Sequence, residues 1–353
     1  MRPLRRRTML AGTFAAAGVL PLSRLAHAQE EKRLNVYNWD TYIGSNTIAE
    51  FTDATGIEVR YDLYASSDEL FGKLREGNPG YDVIFSSSNY VERMIAADML
   101  VQLDHAQIPN LKNIAPAFAN QSYDPGLKYG APYTYSLLVI GYRKSAVTTA
   151  PVSWDAVFGE GAPQGRVSLP NDTDIVRCAL KYLGKSLNTE DPADIKAAEE
   201  LLIAVKKRGT VKIFAPDTGQ DLLLSGEVDL AVDWMGDMRQ VMAEDDDLAF
   251  AVPKEGTVLG IDCMCIPKGA PHPGNAHAFI NFILTPEVHA AIAEEIQYAI
   301  PNAAAVELLP EEERTDPQVY PPQDVLAQSE VPAYKGEAVE KLFEDALTRI
   351  LAA

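Results

Sequence analysis

Two segments of the chain combine aromatic and acidic side chains. Residues 35–42 read Asn-Val-Tyr-Asn-Trp-Asp-Thr-Tyr, and residues 232–237 read Val-Asp-Trp-Met-Gly-Asp. Each begins in a short apolar run, which predicts that its polar part follows the end of a strand. Aromatic faces attract cations and carboxylates neutralise them. Two such loops facing one cleft therefore predict a site for an organic amine.

Two other interpretations of these loops are open. In the first, Trp39 and Trp234 belong to the core and the acids cap helices. In the second, a carboxylate pair such as Asp40 with Asp233 or Asp237 serves a secreted hydrolase. The sequence contains no Gly-x-Ser-x-Gly elbow and no His-Glu-x-x-His zinc helix. We therefore predict a binding protein rather than an enzyme, with no cofactor and no metal ion.

Strands and helices alternate along the chain, which predicts an α/β fold. Residues 57–63 alternate between apolar and charged side chains and predict a strand with one solvated face. Ser66-x-x-Glu69 is a capping box that opens the next helix. Residues 192–207 predict a longer helix, with Asp191 as its cap and proline at its first position. In such sheets, ligands bind beyond the carboxyl ends of the strands, where both aromatic loops are expected.

The first 28 residues have the pattern of an export signal. Arg5-Arg6-Arg7 precedes an apolar stretch, and Ala26-His27-Ala28 is a cleavage pattern of small residues. The apolar stretch of roughly a dozen residues is too short to span a bilayer. We predict cleavage after Ala28 and a periplasmic location, and the paired arginines favour the twin-arginine route over the general one.

The charge of the protein is strongly negative. The full chain of 353 residues has a formal net charge of −19. Residues 1–28 hold five arginines and no acid, so the remainder has 26 basic against 50 acidic residues, a net charge of −24. Such a protein is a poor partner for nucleic acid and attracts cationic ligands, although an acidic surface also serves solubility alone. We expect a monomer that does not bind nucleic acid.

Several segments, in order and at matching spacing, are similar to one family. They are residues 36–42 (Val-Tyr-Asn-Trp-Asp-Thr-Tyr), 81–84 (Tyr-Asp-Val-Ile), 253–256 (Pro-Lys-Glu-Gly), 298–304 (Tyr-Ala-Ile-Pro-Asn-Ala-Ala) and 320–322 (Tyr-Pro-Pro). With them, the chain resembles the periplasmic spermidine/putrescine-binding proteins of ABC transporters over essentially its whole length after the signal. The resemblance implies a solute receptor that delivers its ligand to the membrane permease of an ABC transporter.

The resemblance also implies the type II periplasmic-binding-protein fold, with two lobes, a two-strand hinge and the ligand in the cleft between the lobes. We predict a first lobe of residues 29–142 and 252–302. The second lobe is then formed by residues 143–251 and 303–353. Each lobe would contribute residues to one site.

Site residues follow from the matching positions. Trp39 and Tyr42 match the aromatic residues of the first loop, with Asp40 and Thr41 between them. The other matches are Ser87 and Asp174 as ligands of amine groups, Trp234 with Asp237 three residues later, Asp262 after the Pro-Lys-Glu-Gly hairpin, and Tyr298 of the late loop. The resemblance thus implies that Asp174 and Asp262 neutralise the ammonium groups. Trp39, Trp234 and Tyr298 would enclose the methylene chain.

Three positions depart from the family. Gly260 stands where the family usually has Trp or Phe, Asn89 where spermidine-binding members often have Tyr, and Asn171 where some have Asp. Fewer aromatic walls and fewer acids favour putrescine over spermidine. A different organic amine, such as a modified amino acid or an opine-like compound, stays open as an alternative.

Overall fold

The structure is a computed structural model that describes residues 30–215 and 218–353, apart from the side chain of residue 323. The predicted signal peptide at 1–28 lies outside the described residues. Within the described ranges the strands are β1 (Arg33–Asn38), β2 (Glu58–Leu63), β3 (Val83–Ser87), β4 (Gly130–Arg143), β5 (Val167–Pro170), β6 (Val211–Ala215), β7 (Leu230–Trp234), β8 (Leu248–Ala251) and β9 (Leu259–Cys265).

The helices follow the strands in alternation over much of the chain. They are α1 (Thr47–Thr55), α2 (Ser67–Arg75), α3 (Ser88–Ala96), α4 (Pro116–Ala119), α5 (Asp155–Phe158), α6 (Asp174–Tyr182), α7 (Pro192–Lys207), α8 (Gly219–Leu224), α9 (Met235–Met242), α10 (Pro273–Ile283), α11 (Pro286–Ile296), α12 (Ala303–Val306), α13 (Glu311–Arg314), α14 (Gln323–Gln328) and α15 (Glu337–Ala352). A 3-10 turn spans Pro109–Asn113.

Local signals explain several of these boundaries. Ser66 accepts a hydrogen bond from the backbone N–H of Glu69 at 3.2 Å and begins α2. The carboxylate of Asp191 accepts one from Ala193 N at 2.9 Å and begins α7, which has the predicted bounds. Both caps satisfy a backbone donor that has no partner within its helix.

The described strands form one connected sheet in the order β2-β1-β3-β9-β4-β7-β5-β6, with β8 also paired to β4. β4 belongs to both halves of this sheet. Its residues 130–137 pair with β9, and its residues 138–143 pair with β7 and β8. The sheet therefore has a first half of β2, β1, β3 and β9 and a second half of β7, β5, β6 and β8, joined along β4.

Each half of the sheet is covered on both faces. Val36 and Phe85 belong to one core cluster of the first half, and Tyr37 and Ile84 belong to the cluster on its other face. The second half likewise lies between a cluster around α6, α7 and α15 and a cluster around α8 and α9. Because successive strand residues point to opposite faces, helices on both sides give each half its own core.

We call the first half of the sheet with its helices the first lobe, and the second half with its helices the second lobe. The lobes are connected by β4 and by the segment from β8 to β9. Leu138 N donates to Val258 O at 3.1 Å, and the Thr257 hydroxyl donates to Leu138 O at 2.7 Å. A third segment of the chain, at Glu330, lies beside these two. Glu330 N donates to Thr257 O, and Glu330 O accepts from Leu259 N. This third segment was not predicted.

The C-terminal part divides between the two cores. Ala305 and Leu309 pack with Ala290, Ala293 and Ile300 beside the first half of the sheet. Phe343 and Ile350 of α15 lie in the core of the second half. Packing thus separates the region around α12 from α15, whereas we predicted 303–353 as one part of the second lobe. The predicted lobe limits stay a prediction.

Candidate functional site

The loop after β1 is held by a buried asparagine. The amide of Asn38 donates to the Tyr61 hydroxyl at 2.7 Å and to Tyr42 O at 3.3 Å, and its oxygen accepts from Trp39 N at 2.8 Å. Thr41 has a φ of +50°, which is rare for a β-branched residue and stores strain in the loop. The exposed Asp40 accepts a hydrogen bond from Thr41 N at 2.9 Å, so its described bond lies within the loop.

Asp262 is the central residue of the part of the candidate site that the first lobe forms. It is half-buried on β9, opposite Ser87 of β3 and Thr134 of β4. The Tyr42 hydroxyl donates to Asp262 Oδ2 at 2.6 Å and also hydrogen-bonds the Thr134 hydroxyl. Burial and the adjacent Asp262 charge hold the pKa of Tyr42 well above its usual range, so the phenol stays a donor. Ser87 hydrogen-bonds the Ser67 hydroxyl at 3.3 Å.

Two pairs of aromatic rings lie in the neighbourhood of this carboxylate. The rings of Tyr42 and Tyr298 meet edge to face with centroids 4.9 Å apart. The Trp39 ring lies 4.3 Å from that of Tyr64, whose pKa burial and the Asp262 charge raise well above its usual range. Trp39 is half-buried against core residues of the first lobe. Two aromatic pairs, Trp39 with Tyr64 and Tyr42 with Tyr298, therefore lie in the part of the first lobe that holds Asp262.

Trp234 reaches from the second lobe to the first. It ends β7 opposite Leu138 and packs against core residues of both lobes. A Cβ atom placed at Gly260 would lie 2.9 Å from Cη2 and Cζ3 of the indole. The Trp234 ring thus lies directly over Gly260, in the space that a side chain there would need.

The start of α9 contacts Tyr298. A Cβ atom at Gly236 would collide with Cδ2 and Cε2 of the Tyr298 ring, so only glycine allows this approach. Asp237 is the next residue, buried in the first turn of α9. The helix N-terminus favours a negative charge at this position. Trp234 and the α9 turn that carries Asp237 thus lie against Gly260 and Tyr298 of the first lobe.

Two acids have structural partners. Asp233 accepts hydrogen bonds from Gln220 N at 2.7 Å and from Trp234 N at 2.8 Å. Asp174 begins α6 and pairs with Nε of the buried Arg177 at 3.2 Å, and Glu340 lies 3.7 Å from Nη2 of the same arginine. Burial raises the pKa of the Asp174 carboxyl above its usual range, although Arg177 acts in the opposite direction. Its ion pair lies within the second lobe, but its charge also helps to raise the pKa of Tyr90 on α3 of the first lobe, so Asp174 lies near both lobes.

The structure places most of the predicted residues together. Contacts link Tyr42 with Asp262 and Tyr298, and Tyr298 with the α9 turn that carries Asp237. Ser87 lies opposite Asp262 in the sheet, and Trp39, Asp40 and Thr41 lie in the loop that ends at Tyr42. Residues that sequence reasoning missed are Tyr64, Thr134 and Gly236. The sequence did offer a signal for Thr134, because it follows Tyr133 in a strand in which aromatic residues alternate with other residues.

Membrane-spanning helices and metal-binding clusters are both absent from the described part of the chain. No helix there is long and apolar enough to cross a membrane. No group of three or more histidine, cysteine or acidic side chains in residues 30–215 and 218–353 could hold a metal ion.

Comparison with known proteins gives consistent matches over most of the chain. The chain is 35% identical over 339 residues to the putrescine-binding periplasmic protein SpuD of Pseudomonas aeruginosa, covering 91% of each protein. It is 33% identical over 339 residues to the putrescine-binding periplasmic protein PotF of Escherichia coli, covering 90% of each. These matches extend beyond any single motif.

A solved structure agrees with the fold. The spermidine/putrescine ABC transporter substrate-binding protein PotD of Streptococcus pneumoniae, in complex with calcium and HEPES, superposes with a TM-score of 0.79 at 31% identity. The match covers 91% of this chain and 99% of that one. The predicted type II periplasmic-binding-protein fold is confirmed. Residues 46–321 match the model of the bacterial extracellular solute-binding proteins, and the chain belongs to that family.

Proposed function

We propose that this protein is a periplasmic receptor that binds a polyamine, with putrescine favoured over spermidine, and delivers it to an ABC permease. The observation that carries the proposal is the half-buried Asp262 carboxylate, which Tyr42 binds at 2.6 Å among aromatic rings. An ammonium group removed from water needs a carboxylate or several acceptors, and its methylene chain favours flat apolar walls. Relatives with putrescine in their names support this choice.

The mechanism we propose is closure around the ligand. Asp262 and the first loop would bind one end of the diamine from the first lobe. Trp234 and Asp237 would complete the site from the second lobe. A ligand that contacts both lobes binds the closed form more tightly and shifts the population toward it. The closed form would then dock on the permease.

Ligand choice within this mechanism depends on the narrow space over Gly260. The Trp234 ring occupies that space, so one wall of the site comes from the second lobe rather than from a side chain on β9. This arrangement supports a short diamine. The alternative of a different organic amine rests on the departures at Asn89, Asn171 and Gly260. The hydrolase alternative is weakened because Asp233, one of its acids, holds two backbone N–H groups.

The remaining parts of the proposal concern export and assembly. We propose cleavage after Ala28, export by the twin-arginine route, a monomeric mature protein, and no catalysis or binding of nucleic acid. Mass spectrometry of protein from the periplasmic fraction should give a mature chain that begins at Gln29. Replacement of Arg6 and Arg7 by lysine should stop its export if the twin-arginine route is used. Continued export of that variant would favour the general route.

The decisive experiment is calorimetric titration of the refolded, ligand-stripped mature protein. Putrescine and then spermidine are titrated in low and in moderate salt. We expect tight one-to-one binding of putrescine that survives added salt, because screening affects buried charge pairs much less than exposed ones. An absence of binding to either polyamine would overturn the proposed ligand and direct the search to other amines.

A further inference from the structure

Helix α9 touches the first lobe at a second place beyond the candidate site. Arg239 donates from Nε at 3.2 Å and from Nη2 at 3.1 Å to Oε1 of Gln297, and from Nη1 to Asp316 at 2.7 Å. The Gln240 amide donates to Ile296 O at 2.8 Å. Arg239 belongs to the second lobe, whereas the two acceptor side chains follow elements packed on the first.

The acceptor Gln297 occupies a special position. It follows α11 with a φ of +61°, in the left-handed region, and directly precedes Tyr298. The Tyr298 ring packs on Tyr42 on one side and on the Gly236 backbone on the other. The direction in which the chain leaves α11 at Gln297 therefore sets where the Tyr298 ring lies. The two hydrogen bonds from Arg239 hold the Gln297 side chain, and with it this end of α11, against α9.

We propose that Arg239 and Gln297 form a clasp between the lobes that positions Tyr298 and holds the closed form. They are positioning residues, since they act through Tyr298. Trp234, Asp237 and Arg239 lie on one short stretch of chain, so closure brings all three to the first lobe together. The inference rests on the proposed receptor function and adds that the clasp slows ligand release.

A matched pair of variants at one position tests the clasp. Gln297→Asn tolerates the left-handed backbone but is too short to reach Arg239. Gln297→Glu keeps the length and adds a charge that pairs with the guanidinium. Asp316→Asn removes the negative charge beside Arg239 and leaves the Gln297 contact, so it serves as the control for the loss of an ion pair at the same guanidinium.

The first readout is the rate of putrescine release, followed by tryptophan fluorescence in stopped flow. We expect Gln297→Asn to raise the dissociation rate about 5- to 50-fold with an association rate within about threefold, because closure-stabilising contacts act on release. Gln297→Glu should release putrescine no faster than the wild type, and Asp316→Asn should change the rate less than Gln297→Asn. A release rate of Gln297→Asn equal to that of the wild type overturns the clasp, as does a fall in thermal stability alone.

A second readout does not depend on the ligand. Spin labels at Glu50→Cys and Lys196→Cys, both exposed and in different lobes, report the distance between the lobes. The native Cys178, Cys263 and Cys265 are buried and should stay unlabelled. If the wild type binds no putrescine, the proposed function fails, and the distance distribution without ligand judges the clasp. Longer distances in Gln297→Asn than in Gln297→Glu support it, and identical distributions overturn it.

Discussion

Asp262 of the first lobe and Asp174 of the second were both predicted to neutralise an ammonium group, and their surroundings differ. Asp262 accepts from a phenol that burial keeps protonated. Asp174 pairs with the buried guanidinium of Arg177 three residues later on the same helix. The Asp262 carboxylate thus has a neutral donor among its described partners, whereas a cation lies beside the Asp174 carboxylate and cancels much of its charge. The two lobes therefore offer unequal carboxylates.

This difference suggests a division of roles. In the proposed site, the first lobe would supply the charge, and the second lobe would supply the Trp234 wall together with the start of α9. If the second lobe contributes a carboxylate, Asp237 is better placed than Asp174, because it follows the glycine that lies against Tyr298. Asp174 and Arg177 then serve mainly to fix α6 against α15.

Among the variants proposed, Asp262→Asn should have the largest effect on ligand binding. Loss of this charge should reduce the free energy of putrescine binding by about 2 to 5 kcal/mol, since a partly buried ammonium loses its partner. Calorimetric titration measures the change. Asp124→Asn is the control, because this buried acid of the same lobe accepts from three backbone N–H groups and has the same formal charge. Equal affinities of Asp262→Asn and the wild type would remove Asp262 from the site.

Trp234→Ala tests the role assigned to the second lobe. We expect binding weaker by about 1 to 3 kcal/mol, because the ligand loses an aromatic wall and the lobes lose a contact. Trp234→Phe should recover part of the affinity. The indole is only half-buried, so the apo protein should stay folded in circular dichroism. If the protein instead melts as a whole, the interpretation of Trp234 as a core residue is right.

The variants Asp237→Asn and Asp174→Asn test which carboxylate of the second lobe binds an ammonium group of the ligand. Asp237→Asn should lower the affinity for putrescine by about tenfold, in line with a charge-assisted hydrogen bond. Asp174→Asn should change it by less than about threefold and should shift the urea midpoint instead, since Arg177 loses a partner. The reverse order of effects on affinity would restore Asp174 as the ammonium ligand.

A separate effect, on stability rather than on binding, concerns protons in the first lobe. Burial lowers the pKa of His289 to about 4, and its Nε2 lies 2.9 Å from Tyr133 O. The unfolded chain binds a proton near pH 6.5 and the folded chain does not, so the free energy of unfolding falls as pH drops from about 6.5 to 4. This group contributes roughly 2 to 3 kcal/mol over that range. Urea unfolding at several pH values should show a shallower slope for His289→Gln than for the exposed control His105→Gln.

Local signals predicted the elements better than the site. The Ser66 cap and the helix Pro192–Lys207 depend on residues a few positions apart, and both are confirmed, although the Glu69 carboxylate accepts from Ala65 N instead of Ser66 N. The pairing of Asp174 with Arg177 was also within reach, because residues three apart share a helix face. Sequence alone could not place the Tyr42 hydroxyl on Asp262, since that contact depends on the pairing of β9 with distant strands.

The position of β9 between β3 and β4 has a consequence for the order of folding. During synthesis, β1 to β4 emerge first, and β5 to β8 of the second lobe follow before β9 does, whereas α15 of that lobe emerges last. Until then the first lobe lacks the strand that joins β3 to β4, while the second lobe already has all its paired strands. Such long-range pairing is slow because the chain loses the entropy of closing a large loop before the strand contacts form and compensate for that loss. The growing chain therefore stays incompletely folded until its last third is made, which leaves a window in which a partner can still bind it unfolded.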